Sequence, residues 1–201
     1  MIVIGITGGI GSGKSTASEY LISEGFACID ADQIGRDLTA DGQPLLEKIG
    51  EMFGCVSSSG SAGNGLVLDR KAMAEQVFGD NSVRERYNRL IHGEIIARID
   101  ERIAELRQTD VRGILLDAPL LFEAGINDRC DAVILVTADL DKRIERVCLR
   151  DGSDEEKIRG RISSQMSDEE KAKRSDFVVD NSGEPENMYR QLDLVMDSLG
   201  V

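Results

Sequence analysis

The stretch Gly8-Gly9-Ile10-Gly11-Ser12-Gly13-Lys14-Ser15 constrains this chain more than any other, because four glycines within six residues favour a backbone that curls tightly and shows its N–H groups to one side. It fits G-x-x-x-x-G-K-[ST] and follows the apolar run Met1 to Ile6, which has the character of a buried strand. Thr16 to Glu24 then carries a helical pattern closed by Gly25. Strand, glycine loop and helix in this order predict an anion cradle at a helix N-terminus. Lys14 would reach the β- and γ-phosphates of a nucleoside triphosphate, and Ser15 would place its hydroxyl on the bridging magnesium ion.

A length of 201 residues fits one α/β domain with insertions. The net charge of −13 argues against a general nucleic-acid partner, since a polyanion is repelled over most of such a surface, and favours a small-molecule partner. No apolar stretch approaches the roughly 20 residues of a membrane span, and the apolar start lacks the basic flank of a secretory signal, so a cytoplasmic protein is expected. Cys28, Cys55, Cys130 and Cys148 form no C-x-x-C pair and His92 is the single histidine, which leaves no zinc-binding pattern. The sequence does not set an oligomeric state; a monomer is consistent with it.

Short apolar strands are expected at Ile2 to Thr7, Phe26 to Asp30, Gly113 to Asp117, Ala132 to Val136 and Phe177 to Asp180, separated by helical patterns. Such alternation predicts a parallel sheet covered on both faces, with ligands at the carboxyl ends of its strands. Residues from about 43 to 109 are too many for a simple crossover and read as an inserted helical region. Within it Val83, Tyr87, Leu90, Ile91, Ile95, Ile99, Ile103 and Leu106 recur at helical spacing behind a capping box at Ser82 to Glu85. Cys55 to Gly65, rich in Ser and Gly, reads as a surface loop. Residues 141 to 174 hold ten of the 24 basic residues, including Arg143, Arg146, Arg150, Arg159 and Arg161. They read either as solvated helices with i,i+4 ion pairs or as a lid whose arginines close over transferring phosphate, the second reading being favoured for Arg146 and Arg150.

Asp30-Ala31-Asp32 ends the second expected strand. Phosphoryl transfer to a hydroxyl needs a group that positions the acceptor and takes its proton, which Asp32 can supply; the other reading is that one of the two aspartates caps a helix beginning at Gln33. Ile114 to Asp117 is the kind of apolar strand whose terminal aspartate helps hold magnesium. Pro119 to Glu123 follows it toward the same crevice, and Arg36 and Arg70 are candidates for an anionic acceptor.

These residues together resemble the dephospho-coenzyme A kinase family from Met1 to about Asn181. The likeness is carried by Thr7 to Thr16, Asp30-Ala31-Asp32 with Arg36, Gly42-x-Pro44, Phe53-Gly54, Leu68-Asp69-Arg70, Val77-Phe78, Leu90-Ile91-His92, Pro119-Leu120-Leu121-Phe122-Glu123, Arg146 with Arg150, Arg161-x-x-x-Gln165, and Asp176 with Asn181. The resemblance implies a P-loop kinase fold: a three-layer α/β core with a five-stranded parallel sheet (residues 1–42, 110–140 and 175–201), a helical substrate-binding insertion (about 43–109) and a helical lid (about 141–174), all in a single domain. It implies transfer of the ATP γ-phosphoryl group to the ribose 3′-hydroxyl of dephospho-coenzyme A, with ATP and Mg²⁺ required. Carried onto this chain, Gly11, Ser12, Gly13, Lys14, Ser15, Thr16, Arg146 and Arg150 bind ATP, Ser15 also binding the metal. Asp32, Lys14 and Arg146 are catalytic, and Asp32, Arg36, His92, Leu120 and Glu123 contact the acceptor. Gly93 stands where the family usually has proline, and Asp117 where it accepts apolar residues. The competing expectations are another nucleoside monophosphate or small-metabolite kinase, and a slow nucleotide switch, against which the absence of N-K-x-D counts.

Overall fold

The computed structural model describes residues 1–58 and 65–201, which fall into two compact units, residues 1–30 with 103–201 and residues 31–102.

The first unit is built on β1 (Val3–Thr7), β2 (Ala27–Asp30), β5 (Ile114–Asp117), β6 (Ala132–Thr137) and β7 (Phe177–Asp180). All pair in parallel in the order β2-β5-β1-β6-β7. β1 is central and buried along its whole length. The expected strands agree with these to within a residue at either end. Ile4 and Ile6 pack with Leu115, Ile134 and Val179 against Ala17 and Leu21 of α1 (Lys14–Ser23) and Met188 and Leu192 of α9 (Pro185–Leu199). Gly5 points to the opposite face, where a Cβ would lie 2.9 Å from Leu121 and 2.8 Å from Cys130 Sγ, so only glycine admits that layer. Gly25, at φ +95°, closes α1 as its sequence foretold. Between β6 and β7 stand α6 (Leu140–Asp151), α7 (Glu155–Ser163) and α8 (Asp168–Arg174), with Ile144, Val147 and Ile158 forming a small core that Ile10 joins.

The second unit holds α2 (Ala31–Leu38), α3 (Leu45–Phe53), the hairpin β3 (Val56–Ser58) and β4 (Leu66–Leu68), α4 (Arg70–Gly79) and most of α5 (Asn81–Leu106). Leu45, Leu46, Ile49, Phe53, Leu68 and Met73 form its core, onto which Val83, Tyr87, Leu90 and Ile91 pack, as the helical stripe of α5 requires. Three sequence expectations are corrected here. The loop expected from Cys55 to Gly65 begins instead as β3, because Val56 pairs with Leu68 and both are drawn onto this core; residues 59–64 lie outside the described residues. The cap of α5 is Asp80, which accepts from Ser82 N at 2.7 Å, rather than Ser82. The helix after β2 begins at Ala31 rather than Gln33, so Asp32 lies in its first turn instead of capping it. Gly93 is an ordinary interior position of α5, with open space where a side chain would stand.

Candidate active site

The glycine loop leaves the carboxyl end of β1 and feeds α1. Gly11 (φ +78°) and Gly13 (φ +90°) hold the left-handed backbone that the curl needs. The other two glycines permit close approach: a Cβ on Gly8 would lie 2.5 Å from Val136 O, and one on Gly9 would meet the Arg143 guanidinium. The loop is also fastened from outside. Ile10 O accepts from Arg143 Nε at 2.9 Å, Ser12 O from Asn181 Nδ2 at 2.8 Å, and Gly11 O lies 3.5 Å from Arg146 Nη1. Ser12 Oγ is the only buried side-chain polar atom among the described residues with no hydrogen-bond partner. An unsatisfied hydroxyl in a glycine cradle at a helix N-terminus fits an oxyanion ligand.

Lys14 opens α1, and its ammonium pairs with Asp117 at the end of β5. Ser18, one turn on, donates to the other Asp117 oxygen at 2.7 Å, which holds this nearly buried carboxylate between two donors. Asp117 thus orients Lys14. Cys28, on the neighbouring strand, has its thiol pushed up to about 11 by burial and then by the charges of Asp117 and Asp30, which leaves it un-ionised at neutral pH. Ser15 and Thr16 follow Lys14 in the first turn of α1, and Ser15 is exposed.

Arg146 lies beside the loop: besides Gly11 O, it reaches Asn181 O at 2.8 Å. Arg150, a turn further along α6, instead pairs with Asp151 at 2.7 Å, whose carboxyl is held low by Arg150 and Arg161. Glu123 accepts from Met166 N at 3.2 Å and lies 3.4 Å from the fully buried Lys171, whose Nζ donates to Pro119 O at 2.7 Å. Thr7 Oγ1 donates to that same carbonyl at 3.1 Å, which fixes the turn bearing the half-exposed Leu120 at the end of β5. In the second unit, Asp32 is exposed in the first turn of α2, where a negative charge suits the helix dipole. Arg36, a turn later, donates to Gln33 Oε1 at 2.8 and 3.0 Å, and Arg70 to Thr39 O at 3.0 Å. His92 is exposed on α5.

Sequence reasoning missed Arg143, Asp168 and Lys171 as parts of this arrangement and gave Asn181 no role. Asn181 stands just past β7, at the strand end where ligand groups gather, and that position was the available signal. Arg143 precedes Arg146 by three residues and so shares its helix face.

A glycine cradle at the end of the central strand of this parallel sheet, opening a helix whose first residues are Lys14 and Ser15, defines a P-loop phosphotransferase. The sequence model of the dephospho-CoA kinase family matches residues 2–187. The dephospho-CoA kinase of Syntrophotalea carbinolica is 38% identical over 200 residues, covering 99% of this chain and 92% of that one. A crystal structure from Thermus thermophilus superposes with a TM-score of 0.79 at 34% identity, covering 98% of this chain and 97% of that one. The dephospho-CoA kinase from Campylobacter jejuni gives 0.68 at 28% identity, with 98% and 96% covered. The chain belongs to the dephospho-CoA kinase family. As a kinase of that family it uses ATP, and these matches do not favour the other small-metabolite kinases.

Proposed function

We propose that this chain transfers the γ-phosphoryl group of ATP to the ribose 3′-hydroxyl of dephospho-coenzyme A, giving coenzyme A and ADP in the last step of coenzyme A synthesis. The observation that carries this reading is a family match over residues 2–187 that includes a glycine loop already shaped for phosphate.

In this reading Gly11, Ser12, Gly13, Ser15 and Thr16 cradle the donor phosphates, and Lys14, oriented by Asp117, places its charge where the β,γ-bridge oxygen gains negative charge. Arg146 stands at the loop's edge, where its guanidinium donates to Gly11 O and Asn181 O, and in this reading it serves the transferring group. Arg150, on the same helix, is a second lid arginine once it leaves Asp151 for the phosphates. Asp32 positions the acceptor hydroxyl and takes its proton as the new oxygen–phosphorus bond forms and the bond to the bridging oxygen breaks. Arg36, His92, Leu120 and Glu123 hold the acceptor. Residues 43–109 form the acceptor-binding region and residues 141–174 the lid, whose closure excludes water so that the hydroxyl rather than solvent attacks.

The residues also fit magnesium. Ser15 supplies one exposed hydroxyl, and no group of three carboxylate, histidine or cysteine ligands occurs among the described residues, so the ion would be held by Ser15, phosphate oxygens and water. Bound there it would neutralise charge on the phosphate oxygens. A cytoplasmic setting belongs to the same reading and is supported by four cysteines that stand as free thiols. No helix among the described residues is long and apolar enough to cross a membrane.

The test is ADP release with Mg-ATP and a panel of dephospho-coenzyme A, adenosine, AMP, shikimate and gluconate. Release with dephospho-coenzyme A alone, with coenzyme A formed, is expected; nucleotide binding without turnover on any acceptor would reject the acceptor assignment.

A further inference from the structure

We infer that Arg143 and Asp168 are a positioning pair that locks the phosphate loop in its anion-binding shape. Arg143 is a buried cation, 5% exposed, that faces the outer side of the loop. Its Nε donates to Ile10 O at 2.9 Å and its Nη1 to Asp168 Oδ2 at 2.7 Å. Thr137, at the end of β6, donates to the same Asp168 oxygen at 2.9 Å, so the carboxylate is itself fixed to the sheet. Gln165 Oε1 takes the Ile10 N–H at 3.3 Å. Both backbone polar groups of Ile10 are therefore held by side chains from beyond β6.

The consequence follows from peptide geometry. In a trans peptide the C=O and the next N–H point in opposite directions. With the Ile10 carbonyl drawn outward onto Arg143, the Gly11 N–H is turned inward, toward the anion. Gly11, which holds φ +78° and has no Cβ, does not itself hinder the alternative, in which this peptide flips and offers its carbonyl oxygen to the phosphates. Arg143 opposes the flip, because a buried guanidinium would then lose an acceptor. Asp168 is needed to keep that guanidinium in place: it neutralises the charge and, through Thr137, fixes its direction. The contact at Gly9, where a Cβ would meet Arg143 and come within 3.2 Å of Asp168 Oδ1, brings the pair directly against the loop. Neither side chain needs to touch a phosphate to act. Both work through Ile10.

This inference rests on the nucleotide-donor reading but not on the identity of the acceptor, so the test measures ADP affinity by calorimetry alongside ATP kinetics. Arg143→Met and Asp168→Asn should each weaken ADP binding and lower kcat/KM for ATP about tenfold or more, while KM for dephospho-coenzyme A stays within about twofold. The double variant should bind ADP no worse than the weaker single, because the two act as one unit. Arg143→Lys, which keeps a cation and a donor, should recover part of the loss. ADP affinity within about twofold of the unaltered chain in both single variants, whatever their melting temperatures, overturns the proposal. Should Arg143→Met fail to fold, the isosteric Asp168→Asn decides alone. Unaltered protein that binds ADP but does not phosphorylate dephospho-coenzyme A removes the acceptor assignment and leaves this pair standing; protein that binds no ADP removes both.

Discussion

Replacing Lys14 by methionine should cost stability as well as turnover, and the two losses should separate. The Lys14 and Asp117 side chains are only 13% and 12% exposed, so their ion pair is largely removed from solvent. Breaking such a pair by deleting one partner typically costs about 3–5 kcal/mol, because the remaining charge stays buried without compensation. Here Ser18 still donates to Asp117 at 2.7 Å, which places the expected loss at the low end, about 3 kcal/mol. For a chain of this size, that lowers the melting temperature by roughly 6–12 °C. Adding Asp117→Asn removes the stranded charge and should restore most of the lost stability. It should not restore turnover, because the ammonium proposed to serve the phosphates is still missing; a deficit on the order of 100-fold or more should persist in the double variant. Thermal melts and ADP release on the single and double variants measure both. A single variant that melts within about 2 °C of the unaltered chain, or a double variant no more stable than the single, refutes the electrostatic argument. A double variant with full turnover refutes the catalytic role of Lys14.

Asp32→Asn should lower kcat by on the order of 100-fold while ATP affinity stays within about threefold, since the proposed role of Asp32 is on the acceptor; a selective loss of ATP binding in calorimetry would overturn that assignment. The thiols of Cys28 and Cys130, pushed up to about 11 and about 12 chiefly by burial, should be alkylated far more slowly by iodoacetamide at pH 8 in the folded chain than in denaturant. The same shifts set a pH dependence. Above the ordinary thiol range the unfolded chain has released these protons and the folded chain retains them, so stability falls as pH rises from about 9 through 11 to 12. Urea midpoints that stay flat over that range would count against the shifts.

Sequence carried the parts of the molecule that rest on local pattern. The strands were legible because each is a short apolar run bounded by turns, and the cradle because its glycines, lysine and serine must lie next to one another in the chain. The β3–β4 hairpin was not, because three-residue strands leave no periodicity to read, and what makes Val56 and Leu68 pair is a core assembled from α3, α4 and α5. The fastening of the cradle was hidden for a related reason. Arg143, Gln165, Asp168 and Asn181 reach residues 10 and 12 across more than 130 positions of sequence, or reach one another through the sheet, and only the parallel order β1-β6-β7 brings them together. Arg143 looked like any other arginine of a basic stretch. Its 5% exposure, a property of the fold, is what distinguishes it.

The fate of that basic stretch bears on how a chain of net charge −13 attracts a polyanionic nucleotide. Most of the cations the sequence offers for a lid are matched by acids: Arg143 by Asp168, Arg150 and Arg161 by Asp151, Lys157 by Asp154, Arg159 by Glu155, and Lys171 by Glu123. What remains to draw phosphate is short-ranged, namely the loop N–H groups, the N-terminus of α1 and Arg146, together with Lys14, whose charge is shared with Asp117. These act within the roughly 10 Å Debye length of 0.1 M salt, whereas the repulsion by the net negative charge is long-ranged and is what salt screens first. Added salt should therefore weaken the repulsion more than the capture. The association rate of ADP measured by stopped flow should stay level or rise between about 0.05 and 0.3 M salt. A rate that falls by about threefold or more over that range would show that the basic segment steers the nucleotide from a distance, and that its ion pairs do not neutralise it.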